Sequence, residues 1–297
     1  VIIGFFRVPI PWPAVIRQTL REIGEDHCFG LAAQLAFYFL LALFPALLFL
    51  VALAGYLPVE NVLGELLASV ETIAPRELVQ LLRGQLSQIA GGSHASLVTL
   101  GIVGAIWSSS AAMVAIIDAL NHAYDVTEWR PWWKRRLLAI VLTVALAALT
   151  IIALTLVLIG PPLAAAAARW LSLPDSTYLF WAVLRWPAMI LCVVLTVDLV
   201  YHFAPNRPGR WVWITPGSLL ATALWIASSL AYRVYVVNFS DYTATYGTIG
   251  GAIVTMLWFY ISGLAILIGA ELNGVIEHSW RSAATNHGSS VIEDGRT

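Results

Sequence analysis

Charge is what this sequence has least of. Asp, Glu, Lys and Arg make up 11% of its 297 residues, where a soluble globular domain carries about 25%. That shortage excludes a water-clothed fold, because 60% of the residues are hydrophobic and the mean hydropathy is +0.81. A net charge of -1 supplies no basic stripe of the kind nucleic acid requires, so no nucleic-acid partner is expected. Cysteine is nearly absent. Cys28 and Cys192 lie in or beside apolar runs, outside any CxxC pair, so no metal framework or cofactor is expected. The GxxxxGK[ST] phosphate loop is missing too. The first long apolar run follows an acidic cluster and is too long for a signal-peptide core, so it reads as a span.

What is present is apolar run length. A spanning helix needs roughly 20 apolar residues to cross about 30 Å of hydrocarbon. Six segments meet that demand, at about 29–53, 95–117, 137–160, 178–203, 211–237 and 247–270. The fold class expected is all-α: a polytopic membrane protein with six transmembrane helices in a single membrane domain over 1–280. Ser108, Ser109 and Ser110 interrupt the second run, and Pro45, Pro187 and Pro216 suggest kinks. The connection at about 59–90 reads as two outer-side amphipathic helices separated by Pro75. "PWPAVIRQTLREIGED" reads as a further interfacial helix before the first span. The polar segment 281–297 is expected to be a flexible tail.

Orientation follows from basic residues in short loops. One side holds Arg7, Arg17, Arg21, Arg130, Lys134, Arg135, Arg136, Arg207, Arg210, Arg281 and Arg296; the other holds Arg76, Arg83 and Arg169. Both termini are therefore expected in the cytoplasm. "WRPWWKRR" reads as an aromatic and basic interface anchor.

Ionisable groups in a span face protein, water or headgroups. Arg185 and Arg233 fall toward the outer ends, whereas Asp118, Asp198, His202 and Glu271 fall toward the inner ends. Asp198 and His202 share a helix face at i, i+4. They read either as a proton relay or as a carboxylate orienting a histidine. Arg185 and Arg233 read either as snorkelling or as contacts to an anionic headgroup. Arg207 is expected to pair with the inner carboxylates, and Glu271 with Arg207 or an amide donor. Glu277 and His278 read as ordinary helix-end residues. In "YGTIGG", Gly247 and Gly251 make a small-xxx-small face for close helix contact.

"LAAQLAFYFLLALFPALLFLVAL", "DALNHAYDVTEWR", "YHFAPNR" and "YGTIGGAIVTMLWFYISGLAILIGAELNGVIEH" together resemble the YihY/virulence factor BrkB family of bacterial inner-membrane proteins, over about residues 12–280. The resemblance implies six spans and a cytoplasmic N-terminus. It carries over Tyr124, Asp125, Arg130, Pro205, Asn206, Arg207, Gly251, Tyr260, Gly269, Glu271 and Asn273 as family-pattern positions. Members have carried the label ribonuclease BN, which implies an HxHxDH-type metal cluster and a basic RNA groove that this sequence lacks. No enzyme activity is expected.

A related branch is associated with movement of lipopolysaccharide precursors. The resemblance thus implies a transporter, or an auxiliary to one, for anionic lipid or envelope precursors. The substrate-binding or gating set expected is Arg185, Arg233, Asp198, His202, Arg207, Glu271 and Asn273, with Glu271 and Arg207 as an inner gate. The alternative is a non-transporting scaffold for envelope assembly. Membrane lipids are the expected partners, and a homo-oligomer stays open.

Overall fold

The computed structural model describes residues 8–54, 95–158, 176–207, 212–238 and 241–294. Over these the chain is helical, with no strand among the described residues. Helix α1 spans Trp12–Glu25, α2 Cys28–Ala54, α3 Ala95–Ala123, α4 Trp132–Leu158, α5 Ser176–Phe203, α6 Pro216–Asn238 and α7 Asp241–Asp294. The expected outer-side helices at 59–90 lie outside the described residues.

Each expected span coincides with one of α2 to α7. Length and composition alone qualify three stretches among the described residues: Trp132–Ala153, Val183–Phe203 and Gly250–Ala283. A fourth arises if α1 and the first part of α2, bent by 62°, count as one broken span. The six-span count is therefore not met on that criterion. The class itself stands: an all-helical integral membrane bundle.

From α2 to α7 each helix packs on the next in chain order, and α7 closes the ring by packing on α2. Helix α7 also touches α1 and α3, which makes it the hub. Its most apolar stretch is 33% buried, against 11% for α4 and 17% for α5. The last two therefore present apolar side chains outward, as lipid-facing helices do. Leu137, Val141, Ile151, Val183, Trp186 and Ile190 are among those exposed.

Helix α1 is amphipathic for the reason its spacing suggests. Val15, Thr19 and Ile23 are buried on the bundle side, where Val15 meets Leu272, Val275 and Ile276 of α7. Trp12, Ile16 and Leu20 form an exposed stripe beside them. The turn into α2 passes through His27, whose φ of 52° is left-handed. Helix α7 continues through the polar segment expected as a flexible tail, as far as Asp294.

Two boundary corrections have a local cause. The fifth span starts at Pro216 and not near 211, because "TPGS" is a helix start. Thr215 is the N-cap, Pro216 occupies the first turn where its missing N–H costs nothing, and Ser218 returns a hydrogen bond to the cap. Pro216 is therefore a starter and not a kink. Helix α3 ends in a Schellman turn: Val126 N–H reaches Asn121 O, Asp125 N–H reaches His122 O, and Asp125 sits at φ 50°.

Candidate functional site

The polar side chains gather at one end of the bundle, where α2 and α6 begin, α3 and α5 end, and α7 passes through. Three groups occupy this polar end.

The innermost is a buried cap. Asp198 of α5 accepts the Thr215 hydroxyl on Oδ1 at 2.7 Å and the Ser218 hydroxyl on Oδ2 at 2.8 Å. Those hydroxyls in turn accept the Ser218 and Thr215 backbone N–H groups. Asn273 of α7 completes the set: its Nδ2 donates to Thr215 Oγ1 at 2.9 Å and its Oδ1 accepts Gly217 N–H at 2.9 Å. Three helices are thus pinned at the start of α6, where unpaired N–H groups would otherwise be stranded in a dry environment. Close approach is required here. A Cβ on Gly217 would overlap Gly269 O and the Asn273 side chain, and one on Gly269 would overlap Gly217 O, Tyr201 Oη and Ala221 Cβ.

The second group ties two loops. Arg130 grips Glu128 with both Nε and Nη2, at 2.8 and 2.7 Å, and Nη2 also reaches Ala204 O at 2.7 Å. Asn121 donates to Glu128 Oε2 at 3.0 Å and accepts Asn206 N–H at 2.8 Å. Asn206 Nδ2 reaches Thr127 O at 3.0 Å. Burial raises the Glu128 carboxyl, but the Arg130 and Asn121 hydrogen bonds outweigh it and hold the group below its ordinary value. A carboxyl depressed in the folded state stabilises it fully above the unfolded value of 4.5, and that stability is lost as pH falls through the folded value. Wild-type melting temperature is accordingly expected to fall as pH drops below about 4.5 by an increment that Glu128→Gln lacks. Superimposable acid profiles for the two proteins would remove Glu128 as a source of that decline.

The third group is a latch. Arg207 forms an ion pair with Glu277 of α7, and its guanidinium lies 4.0 Å from the centre of the Tyr124 ring. Glu277 also takes Arg281 at 2.7 Å. The Tyr124 ring is buried, and burial pushes its phenol up to about 12 against the pull of Arg207. Beside the latch, Glu271 is buried and accepts the Cys28 thiol at 3.2 Å.

The expected gating set is therefore only partly assembled. Asp198 and Asn273 meet through Thr215. The expected Glu271–Arg207 gate is corrected: Arg207 reaches Glu277, about one and two-thirds turns further along α7, and Glu271 turns to Cys28. Glu277 is consequently more than a helix-end residue, while His278 is half-exposed and 3.9 Å from Asp125. Each Asp198 oxygen accepts one hydroxyl of the α6 cap, and the His202 ring packs edge-on to Phe203 at 4.7 Å. Asp118 pairs with Arg135 at 2.8 Å. Arg185 and Arg233 stand apart, about 25 Å along their helices from this end. Arg185 lies 5.5 Å from the Trp186 ring centre, and Arg233 is exposed.

Sequence reasoning missed Cys28, Asn121, Glu128, Thr215 and Ser218. Only "TPGS" carried a local signal, as a cap followed by proline. Close helix approach also involves Gly217, Gly269 and Gly274, the last against Ala123 O.

A second feature lies away from the polar end. A cavity of about 420 Å³ opens between α2, α3, α4 and α7, walled by Phe39, Leu43, Met113, Ile116, Leu146 and Phe259, with Ser109 and Thr143 as its hydroxyls.

Residues 19–291 match the family model described as virulence factor BrkB. The chain is 37% identical over 260 residues to the ribonuclease-like protein YfkH of Bacillus subtilis, covering 88% of this chain and 92% of that one. It is 27% identical over 277 residues to a UPF0761 membrane protein of Ralstonia nicotianae, covering 87% of this chain and 58% of that one. It is 28% identical over 280 residues to another from Chlorobium luteolum, covering 91% and 60%. The chain thus spans about three fifths of the UPF0761 relatives. No solved structure matches it. With a family model covering most of its length and an all-helical apolar bundle beneath it, the chain belongs to the virulence factor BrkB family of integral membrane proteins.

Proposed function

We propose that this chain moves an anionic lipid or envelope precursor across a bacterial inner membrane, or assists a transporter that does, with both termini in the cytoplasm. The observation that carries the reading is the apolar cavity between α2, α3, α4 and α7. An opening of this size, lined by aliphatic and aromatic side chains in a membrane bundle, suits an acyl chain. The polar end, on the side rich in Lys and Arg, would be the closed inner mouth. There the Arg207–Glu277 latch is the element that must open. Arg185 and Arg233 remain the basic residues assigned to headgroup attraction at the outer end.

Catalysis is not part of this reading. Among the described residues no three His, Cys, Asp or Glu gather as metal ligands. The carboxylates Asp118, Asp198 and Glu271 each bind a separate partner. The name of YfkH is therefore not extended to this chain. A non-transporting scaffold is the second reading, favoured by the number of interhelical hydrogen bonds and ion pairs at the polar end.

The full chain in liposomes decides between them. Wild type is expected to equilibrate labelled phosphatidylglycerol between leaflets faster than empty vesicles. Ser109→Phe, which fills the cavity, is expected to slow this about tenfold, and Arg185→Ala by a smaller factor. Wild type no faster than empty vesicles would leave the scaffold reading in place.

A further inference from the structure

Two adjacent arginines at the start of α4 reach in opposite directions. Arg135 pairs with Asp118 near the polar end of α3. Arg136 turns the other way: its Nη2 donates to Trp107 O at 2.7 Å, and its guanidinium lies 4.1 Å from the Trp107 ring centre. Asp118 and Trp107 are eleven residues apart, about 16 Å along α3. Arg136 is thereby carried away from the polar end into an apolar surface. Val103, Ile106 and Trp107 on α3, and Leu137 and Val141 on α4, are all exposed around it.

A long basic side chain in lipid normally relieves its charge by reaching back to the interface. Arg136 does the reverse and is held there by a carbonyl and an indole face. That carbonyl also accepts the Ser110 hydroxyl at 2.7 Å, so the "WSSS" turn is the local feature that offers it. No carboxylate pairs with Arg136 among the described residues, and its Nε is buried against the protein without a hydrogen-bond partner. Its neighbours Arg130 and Arg135 each have one. A lipid-facing guanidinium without a counter-charge is costly unless an anion comes to it. Just before it, Trp129, Trp132 and Trp133 are exposed, and Lys134 lies 5.3 Å from the Trp133 ring centre. This is the composition of a headgroup-level belt.

We propose that Arg136, stacked on Trp107, binds the phosphate of an anionic phospholipid drawn into the outer wall of α3 and α4, with Lys134 and the three tryptophans flanking the headgroup. A guanidinium suits a phosphate diester because it presents a planar set of donors. The proposal rests on the lipid reading above for its class of ligand, but it does not require transport.

Native mass spectrometry of the full chain, titrated with phosphatidylglycerol and phosphatidylcholine of identical acyl chains, tests it. Wild type is expected to prefer phosphatidylglycerol about tenfold, and Arg136→Gln to bring the ratio near one, whereas Arg135→Gln keeps the preference. Should Arg136→Gln fail to purify, Arg136→Lys keeps the charge without the planar donor set and is expected to lose about threefold. An unchanged preference in the variant that is measured overturns the site. So does loss of the wild-type preference to millimolar inorganic phosphate, since the site would then read free phosphate. Preference lost in Arg136→Gln, with wild type idle in liposomes, leaves this site standing and removes transport. Preference kept in Arg136→Gln, with wild type active, removes the site and leaves transport.

Discussion

Gly269→Ala is expected to cost about 3 kcal/mol or more, and to leave little folded protein in the membrane. The new methyl would meet Gly217 O, Tyr201 Oη and Ala221 Cβ at once. Two of those atoms cannot step aside cheaply. Gly217 O is backbone in the first turn of α6, and Tyr201 is held by the hydrogen bond its hydroxyl donates to Ile266 O. Separating α6 from α7 to make room would also break the Gly217 N–H bond to Asn273. Gly217→Ala should behave alike, because its Cβ would strike Gly269 O and the Asn273 amide. Gly30→Ala and Gly104→Ala are the controls. Both sites have nothing within 4 Å, so both are expected within about 0.5 kcal/mol of wild type or slightly stabilised. Thermal unfolding followed by size exclusion in detergent separates the pairs. Equal melting temperatures for Gly269→Ala and Gly104→Ala would show that the two backbones do not meet as described.

Asp198→Ala is expected to destabilise by about 2–3 kcal/mol. Asp198 is 2% exposed, and removing its carboxylate leaves the Thr215 hydroxyl without its acceptor and the Ser218 hydroxyl with only Thr215 O, at 2.9 Å. Interhelical bonds in membranes are individually modest, about 0.6 kcal/mol on average. The larger figure comes from stranding the buried Thr215 donor and loosening the helix cap that both hydroxyls build. Asn273→Ala disturbs the same cap through Thr215 and Gly217. The double variant should therefore lose less than the two single losses combined, by about 1 kcal/mol. A proton relay predicts otherwise: lipid movement would vanish in Asp198→Asn while the melting temperature of Asp198→Ala stayed at the wild-type value. That pattern would sink the structural assignment and restore Asp198 as a functional acid.

The partnerships at the polar end were the part least legible from sequence. Asp198 and His202 share a helix face by spacing, which invites a pairing between them. Spacing does not reveal that Asp198 also accepts hydroxyls 17 and 20 residues away. Arg207 was matched to Glu271 by depth, yet depth does not say which way a carboxylate points around α7. Glu271 and Glu277 are six residues apart, or 600° of helical rotation, and so face directions 120° apart. That angle gives one to Cys28 and the other to Arg207. "TPGS" was readable as a helix start but lay inside an apolar run, where composition overrode the cap signal.

Scarce charge and long apolar runs are properties of single segments. They determined by themselves that this protein is a helical membrane bundle, and placed a helix in each expected span, because lipid makes every backbone group bond within its own segment. Motifs within those segments were enough to indicate the family. Tertiary structure alone decided which polar groups meet: Asp198 with the α6 cap, Arg207 with Glu277, Glu271 with Cys28, and Arg136 with Trp107. Those choices depend on how each helix is rotated and how closely it approaches its neighbour. Both are set by contacts such as Gly217 against Gly269, between residues far apart in the chain.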